Sequence, residues 1–110
     1  MQMLVVKRSG GREPYEREKL LSGVSRACAK TDVSAAEIDD LVDSLESELA
    51  AQGKREVPAA FLGELALKRL KKLNDVAYVR FASVYRKFSS IDDFVSELNS
   101  LQVDPAVLQD

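Results

Sequence analysis

Four cations stand close together near the start of the chain: Lys7, Arg8 and Arg12 around Ser9-Gly10-Gly11, and Lys19 a little further on. Ammonium and guanidinium groups brought to one place suit a polyphosphate, whose oxygens accept charge-assisted hydrogen bonds about twice as strong as neutral ones. Residues 1–19 hold five Lys and Arg against three Glu, a local net of +2, whereas the other 91 residues hold eleven against fifteen, a net of −4. The same cations would equally guard a sheet edge, where Lys and Arg, like Pro14, block pairing between molecules. The residues alone leave both readings open.

The elements that must position these cations can be read from the pattern around them. Val5 to Arg8 is β-compatible, Ser9 to Gly11 is a turn cluster, and Arg12 to Tyr15 returns as a second strand. A β-hairpin therefore feeds a helix that starts at Arg17 and carries Lys19 in its first turns. That helix is expected over Arg17–Lys30, with Leu20, Leu21, Val24, Ala27 and Cys28 on its buried stripe. Ser34 and Glu37 form a capping box for a second helix, which places Ile38, Leu41, Val42, Leu45 and Leu49 inward and stops at Gly53. Its other face, with Glu37, Asp39, Asp40, Asp43, Glu46 and Glu48, reads as solvated surface with no ligand.

Lys54 to Val57 is expected to run extended, and Pro58 suits the first turn of a third helix with Leu62, Leu65, Ala66, Leu70 and Leu73 buried. The basic run Lys68 to Lys72 at its end complements the helix dipole, a reading preferred to a nucleic-acid contact. Asn74 and Asp75 recap the chain into a central fourth helix whose apolar residues are Val76, Ala77, Val79, Ala82, Val84, Tyr85 and Phe88. On it, Arg80 and Arg86 are six apart, so one is expected to turn toward the hairpin and the other to stay in solvent. Tyr78 and Tyr85 are seven apart and share a face; core is the preferred reading for both, and an aromatic contact for a base the alternative. Ser90 caps a fifth helix with Ile91, Phe94, Val95, Leu98 and Leu101 on one side.

Composition narrows the chemistry. A chain of 110 residues, 45% hydrophobic and 31% charged, holds one compact domain. Cys28 is its only cysteine and it has no histidine, which excludes an intrachain disulfide, zinc sites built from four cysteines or from cysteine and histidine pairs, and His-dependent nucleophilic triads. Cys28, on an apolar stripe with no base in view, reads as a core thiol. No stretch approaches the roughly twenty apolar residues that cross a bilayer, and the start of the chain has no secretory pattern, so no membrane partner and a cytoplasmic location are expected. The net charge of −2 argues against direct, specific DNA binding.

Three segments in this order, VVKRSGGREPYEREKL, REVPAAFLGEL and DVAYVRFASVYRKF, resemble the ATP-cone, a small regulatory nucleotide-binding domain. They are most similar to the cone of the bacterial transcriptional repressors that control ribonucleotide reductase genes. The resemblance implies an α+β, mostly α fold, with an N-terminal β-hairpin lid on a bundle of four to five short helices. It assigns residues 4–101 to the cone; the remaining 102–110 are a tail whose apolar Val103, Val107 and Leu108 suit self-association, with fraying the default for a terminal segment. Carried over by position, Lys7, Arg8 and Lys19 would hold phosphates, with Val6 and Glu13 near the nucleoside and Arg12 a weaker candidate.

The implied effector is ATP or dATP, with or without Mg2+ and without zinc, and the implied protein is a sensor and not an enzyme. Its implied partners are further copies of itself and a separate DNA-binding subunit or ribonucleotide reductase. The repressors carry a zinc ribbon ahead of the cone, and only three residues precede this hairpin, so that module is expected to be missing. Many cones have Ser or Thr near the turn into the third helix where this chain has Ala59, which bears on affinity. The competing expectation is a structural or partner-binding helical module with no nucleotide site.

Overall fold

The computed structural model describes residues 2–101, so the tail assigned to 102–110 lies outside the described residues. Within them run β1 (Leu4–Val6), β2 (Arg12–Pro14), α1 (Arg17–Ala27), α2 (Ala35–Ala51), β3 (Glu56–Pro58), α3 (Ala59–Leu73), α4 (Asp75–Tyr85) and α5 (Ile91–Ser100). This is the α+β, mostly helical fold that the resemblance implies.

β1 and β2 form the expected hairpin, antiparallel with Val5 opposite Glu13 and Val6 opposite Arg12. The extended segment before Pro58 does more than lead into a helix. It is β3, and it pairs in parallel with β1, Val5 opposite Val57, giving a three-stranded sheet in the order β2-β1-β3. Both prolines of the sheet, Pro14 and Pro58, therefore lie on edge strands, where a missing N–H costs no ladder bond. Pro58 is the residue that caps α3 and not one of its first turn. The hairpin is thus anchored on one side, through β1, and open on the other.

Two buried clusters hold the helices and the sheet. One joins Val24, Ala27 and Cys28 of the α1 region to Ile38, Leu41 and Val42 of α2, Leu67 and Leu70 of α3, and Ala77, Tyr78 and Ala82 of α4. The other sets Val5 and Val57 of the sheet on Leu45 and Leu49 of α2 and on Leu65 and Ala66 of α3. Leu20 and Phe81 pack against both, so the floor between the hairpin and the bundle is made by α1 and α4 together.

The helix ends explain where the sequence pattern and the structure part. α2 has its capping box in both directions between Ser34 and Glu37, and Gly53 stops the segment at φ +65°. α1 ends at Ala27 rather than Lys30, because the carbonyls it leaves open are met from outside the helix. Arg80 donates to the carbonyls of Ala27 and Ala29, and the Thr31 hydroxyl donates to that of Cys28. Arg80 is therefore a cap for another helix. Arg86 pairs with Glu64 and Glu97, so neither arginine of α4 turns to the hairpin as expected.

α4 packs on α1, α3 and α5, as a central helix should, yet Val76 and Val84 are 52% and 80% exposed. Its buried side is narrower than the apolar count suggests. The acidic face of α2 is also less idle than expected: Arg17 pairs with Asp43 and Glu46, Arg69 with Glu48, and the Tyr15 hydroxyl donates to Glu46 at 2.8 Å.

That last contact gives the fold a signature in alkali. Burial, reinforced by the Glu46 carboxylate, raises the Tyr15 phenol above its ordinary value of 10.0, and burial with Glu97 raises Tyr78 in the same direction. A folded pKa above the unfolded one contributes stability that is complete below about pH 10 and is lost as pH rises through the folded value, since the unfolded chain then binds fewer protons. Urea denaturation at pH 8 and pH 10.5 is expected to show lower stability at the higher pH. The drop should be well under about 1.4 kcal/mol per phenol, because pH 10.5 lies only just above the ordinary value of 10.0 at which the unfolded phenols begin to lose their protons. Tyr15→Phe should reduce it and leave the share of Tyr78; an unchanged pH dependence in that variant would mean the Tyr15 phenol is not linked to folding.

Candidate functional site

The turn between β1 and β2 is closed by backbone bonds from the Lys7 amide to the Gly11 carbonyl and from the Gly10 amide to the Lys7 carbonyl, 2.7 and 2.9 Å. Gly10 adopts φ +96°, which a side chain would resist. The tip so formed brings Lys7 to within 3.5 Å of Glu13 on β2, and the same Glu13 oxygen lies 3.8 Å from the ammonium of Lys19 in α1. Lys19 also meets Glu16 at 3.8 Å. One carboxylate thus holds together two lysines from different elements, with the lysine side chains more than half exposed. Ion pairs this open contribute about 0–1 kcal/mol, so they yield readily to a more highly charged anion.

Arg8, the next residue of the tip, crosses to α4. Its guanidinium donates to the Tyr85 carbonyl at 3.3 Å and lies over the Tyr85 ring, 5.1 Å from the centroid. Tyr85 and Lys19 in turn line one cavity of about 380 Å³ between α1 and α4, floored by Leu20, Gly23 and Phe81. Its volume falls in the range of small-molecule sites. An apolar floor with cations at its mouth is what a ligand with a flat ring at one end and phosphates at the other requires.

The expected residues are distributed as follows. Lys7, Glu13 and Lys19 converge, and Arg8 is tied to the same cavity through Tyr85. Val6 is half-buried in β1 and does not line the cavity. Arg12 belongs elsewhere: its Nε donates to Glu56 at 2.7 Å, strapping β2 to β3 across β1. Ala59 packs against the cluster beneath the sheet, and the hydroxyl in its neighbourhood comes from Tyr85, whose one proton is shared between the carbonyls of Ala59 and Ala60.

Phe81 and Gly23 were not singled out by sequence, although both sit on helix faces that the apolar stripes locate. For Tyr85 the sequence favours core, with an aromatic contact for a base as the alternative. The two tyrosines of α4 share a face but differ in cover: Tyr78 is buried and donates to Glu97 of α5, while Tyr85, two turns on, lies under the hairpin.

A larger cavity of about 510 Å³ lies between α2 and α3. There Glu37, Asp40 and Glu48 face Lys68, Arg69 and Lys72, and Arg69 is already committed to Glu48 and Ser44. Here cations and carboxylates balance three against three, whereas the smaller cavity is lined by Lys19, Arg26 and Arg80 with no carboxylate, so chemistry rather than size selects it. Among the described residues no group of three or more His, Cys, Asp or Glu is placed to hold a metal ion, and no helix is long and apolar enough to cross a membrane.

Comparison with known proteins meets this geometry directly: the family model for the ATP cone domain matches residues 3–91, hairpin, cavity and α4 included. The chain belongs to the ATP-cone family. The cone is 54% identical over 102 residues to the transcriptional repressor NrdR of Thermosynechococcus vestitus, covering 93% of this chain and 63% of that protein. It is 54% identical over 101 residues to the transcriptional repressor NrdR of Gloeobacter violaceus, covering 92% and 59%. The corresponding repressor of Prochlorococcus marinus is 47% identical over 102 residues, with 93% and 64% covered. The chain therefore spans about three fifths of the length of the curated relatives it matches.

Proposed function

We propose that this cone is a regulatory domain that senses ATP and dATP and serves the control of ribonucleotide reductase genes in the manner of the repressors it is similar to. The observation that carries the reading is the convergence of Lys7 and Lys19 on the single carboxylate of Glu13, beside an apolar-floored cavity. In this reading Lys7, Arg8 and Lys19 take the phosphates, Glu13 gives up its lysines and turns to the nucleoside with Val6, and Mg2+ arrives on the phosphates. Residues 4–101 are the nucleotide-binding unit.

The output is conformation or assembly and not hydrolysis. A phosphoryl transfer needs a group that positions the attacking water, and in this reading Glu13, once released by its lysines, turns to the nucleoside and not to the phosphates. Information then flows only through unequal affinity of ATP and dATP for alternative states of the lid or the assembly. α5 supports assembly as the readout, since it buries none of its residues completely and leaves Ile91 78% and Leu98 54% exposed. A homo-oligomer, working with a DNA-binding segment or subunit in the cytoplasm, is the setting this reading implies.

Titration calorimetry paired with light scattering tests it. Binding of ATP or dATP at micromolar to millimolar ligand, with at least two distinct masses among the unliganded, ATP and dATP states, is expected. No heat of binding to either nucleotide at millimolar concentration would refute the sensor; binding with one unchanged mass would restrict the output to lid movement read by a partner.

A further inference from the structure

We propose that Tyr85, which lines the cavity, is a positioning residue that seats Arg8 beside it before any ligand arrives, and that this pre-set arginine is a component of nucleotide affinity. The inference rests on the nucleotide-site reading and deepens it.

Tyr85 is held from three directions. Its single hydroxyl proton is shared between the carbonyls of Ala59 and Ala60 at the start of α3. Its ring stacks on Phe81, with centroids 6.1 Å apart. The ring also fills the space above Gly63 of α3, where even a methyl group would collide with it. So confined, Tyr85 presents its ring face and, separately, its backbone carbonyl to Arg8.

Arg8 sits on a hairpin tip whose β2 edge is unsupported, and its side chain has several rotatable bonds. Ordering such a side chain on binding costs affinity, and a group already ordered escapes that cost. The route is also closed into a circuit. β1 of the hairpin pairs with β3, β3 runs into α3, the first carbonyls of α3 hold the Tyr85 hydroxyl, and Tyr85 holds Arg8 on the hairpin. Movement of the lid is thereby tied to the start of α3, where Ala59 takes the place of the polar residue that many cones have.

Three variants and two readouts test the proposal. In the unliganded protein, Tyr85→Leu is expected to speed hydrogen exchange of the Lys7 and Gly10 amides about two- to fivefold, the range of an exposed cation–π contact, while Tyr85→Phe, which keeps the ring face and loses only the hydroxyl tether to α3, should give a clearly smaller acceleration. For ATP binding, Tyr85→Leu should weaken affinity about two- to fivefold in the wild-type background and have no effect in the Arg8→Ala background. A pure base-stacking role for Tyr85 would give the same loss in both backgrounds and would overturn the proposal, as would unchanged exchange at the tip. Because the exchange measurement needs no nucleotide, its failure is distinct from failure of the sensor reading, which would show as absent ATP binding in the wild type. Gly63→Ala, which displaces the ring without removing it, guards against misfolding of the leucine variant and should give the same faster exchange.

Discussion

Lys7→Ala and Lys19→Ala are each expected to weaken ATP and dATP binding by roughly ten- to a hundredfold, and the double variant to bring it below detection, with the fold intact. A hydrogen bond to a charged group is worth about 1.5–3 kcal/mol, and each lysine would contribute one or more to the phosphates. The ion pairs that both lysines make in the unliganded cone are exposed and share one carboxylate, so little stability is lost with them. That separation of binding from folding makes the experiment decisive. The two effects should also fall short of adding, because removing one lysine leaves Glu13 free to pair more closely with the other. Calorimetry reads the affinities, and circular dichroism confirms the fold. Affinity within twofold of wild type for both single variants would move the phosphate site away from the hairpin. Arg12→Ala is the matched control: its guanidinium is occupied by Glu56 on the far side of the sheet, and it should leave binding unchanged.

The hairpin, the order of the five helices and the capping residues Ser34, Asn74 and Ser90 were legible in the sequence because each depends on neighbours a few residues away. Gly10 and Gly53 at positive φ and the Ser34–Glu37 box are local chemistry. What escaped depends on partners distant in the chain. β3 is three residues long and acquires its strand character from β1, more than fifty residues earlier. The spacing of Arg80 and Arg86 predicts one of them at the hairpin, but the carbonyls of Ala27 and Ala29 hold Arg80 and Glu64 and Glu97 hold Arg86, and no periodicity within α4 contains that information.

The same holds at the site. Lys7, Glu13 and Lys19 were within reach of a sequence argument, since the hairpin and the start of α1 are adjacent in the chain. The role of Tyr85 was not, because it rests on Arg8, Gly63 and the carbonyl of Ala60, brought in by the sheet and by α3.

Leu45→Ala is expected to destabilise the cone by about 2–5 kcal/mol, the range for truncating a buried leucine, against a total of roughly 5–15 kcal/mol for a domain of this size. Leu45 is completely buried, and it lies in the cluster where the sheet residues Val5 and Val57 rest on α2 and α3. The sheet is three short strands with two open edges and cannot hold itself together without that support. The cavity left by the leucine should therefore loosen the platform of the hairpin as well as the bundle. Leu70→Ala, equally buried but in the other cluster, should cost a similar amount and separate the two effects. Urea denaturation is expected to show comparable losses for both, with a melting temperature lower by about 10 °C or more, while exchange at the Lys7 and Gly10 amides in the native state should accelerate more for Leu45→Ala. Ile91→Ala, on the exposed face of α5, should stay within about 0.5 kcal/mol of wild type. Equal acceleration at the hairpin tip in both core variants would mean that lid and bundle open as one unit, and that the nucleotide signal has no separate hinge beneath the sheet.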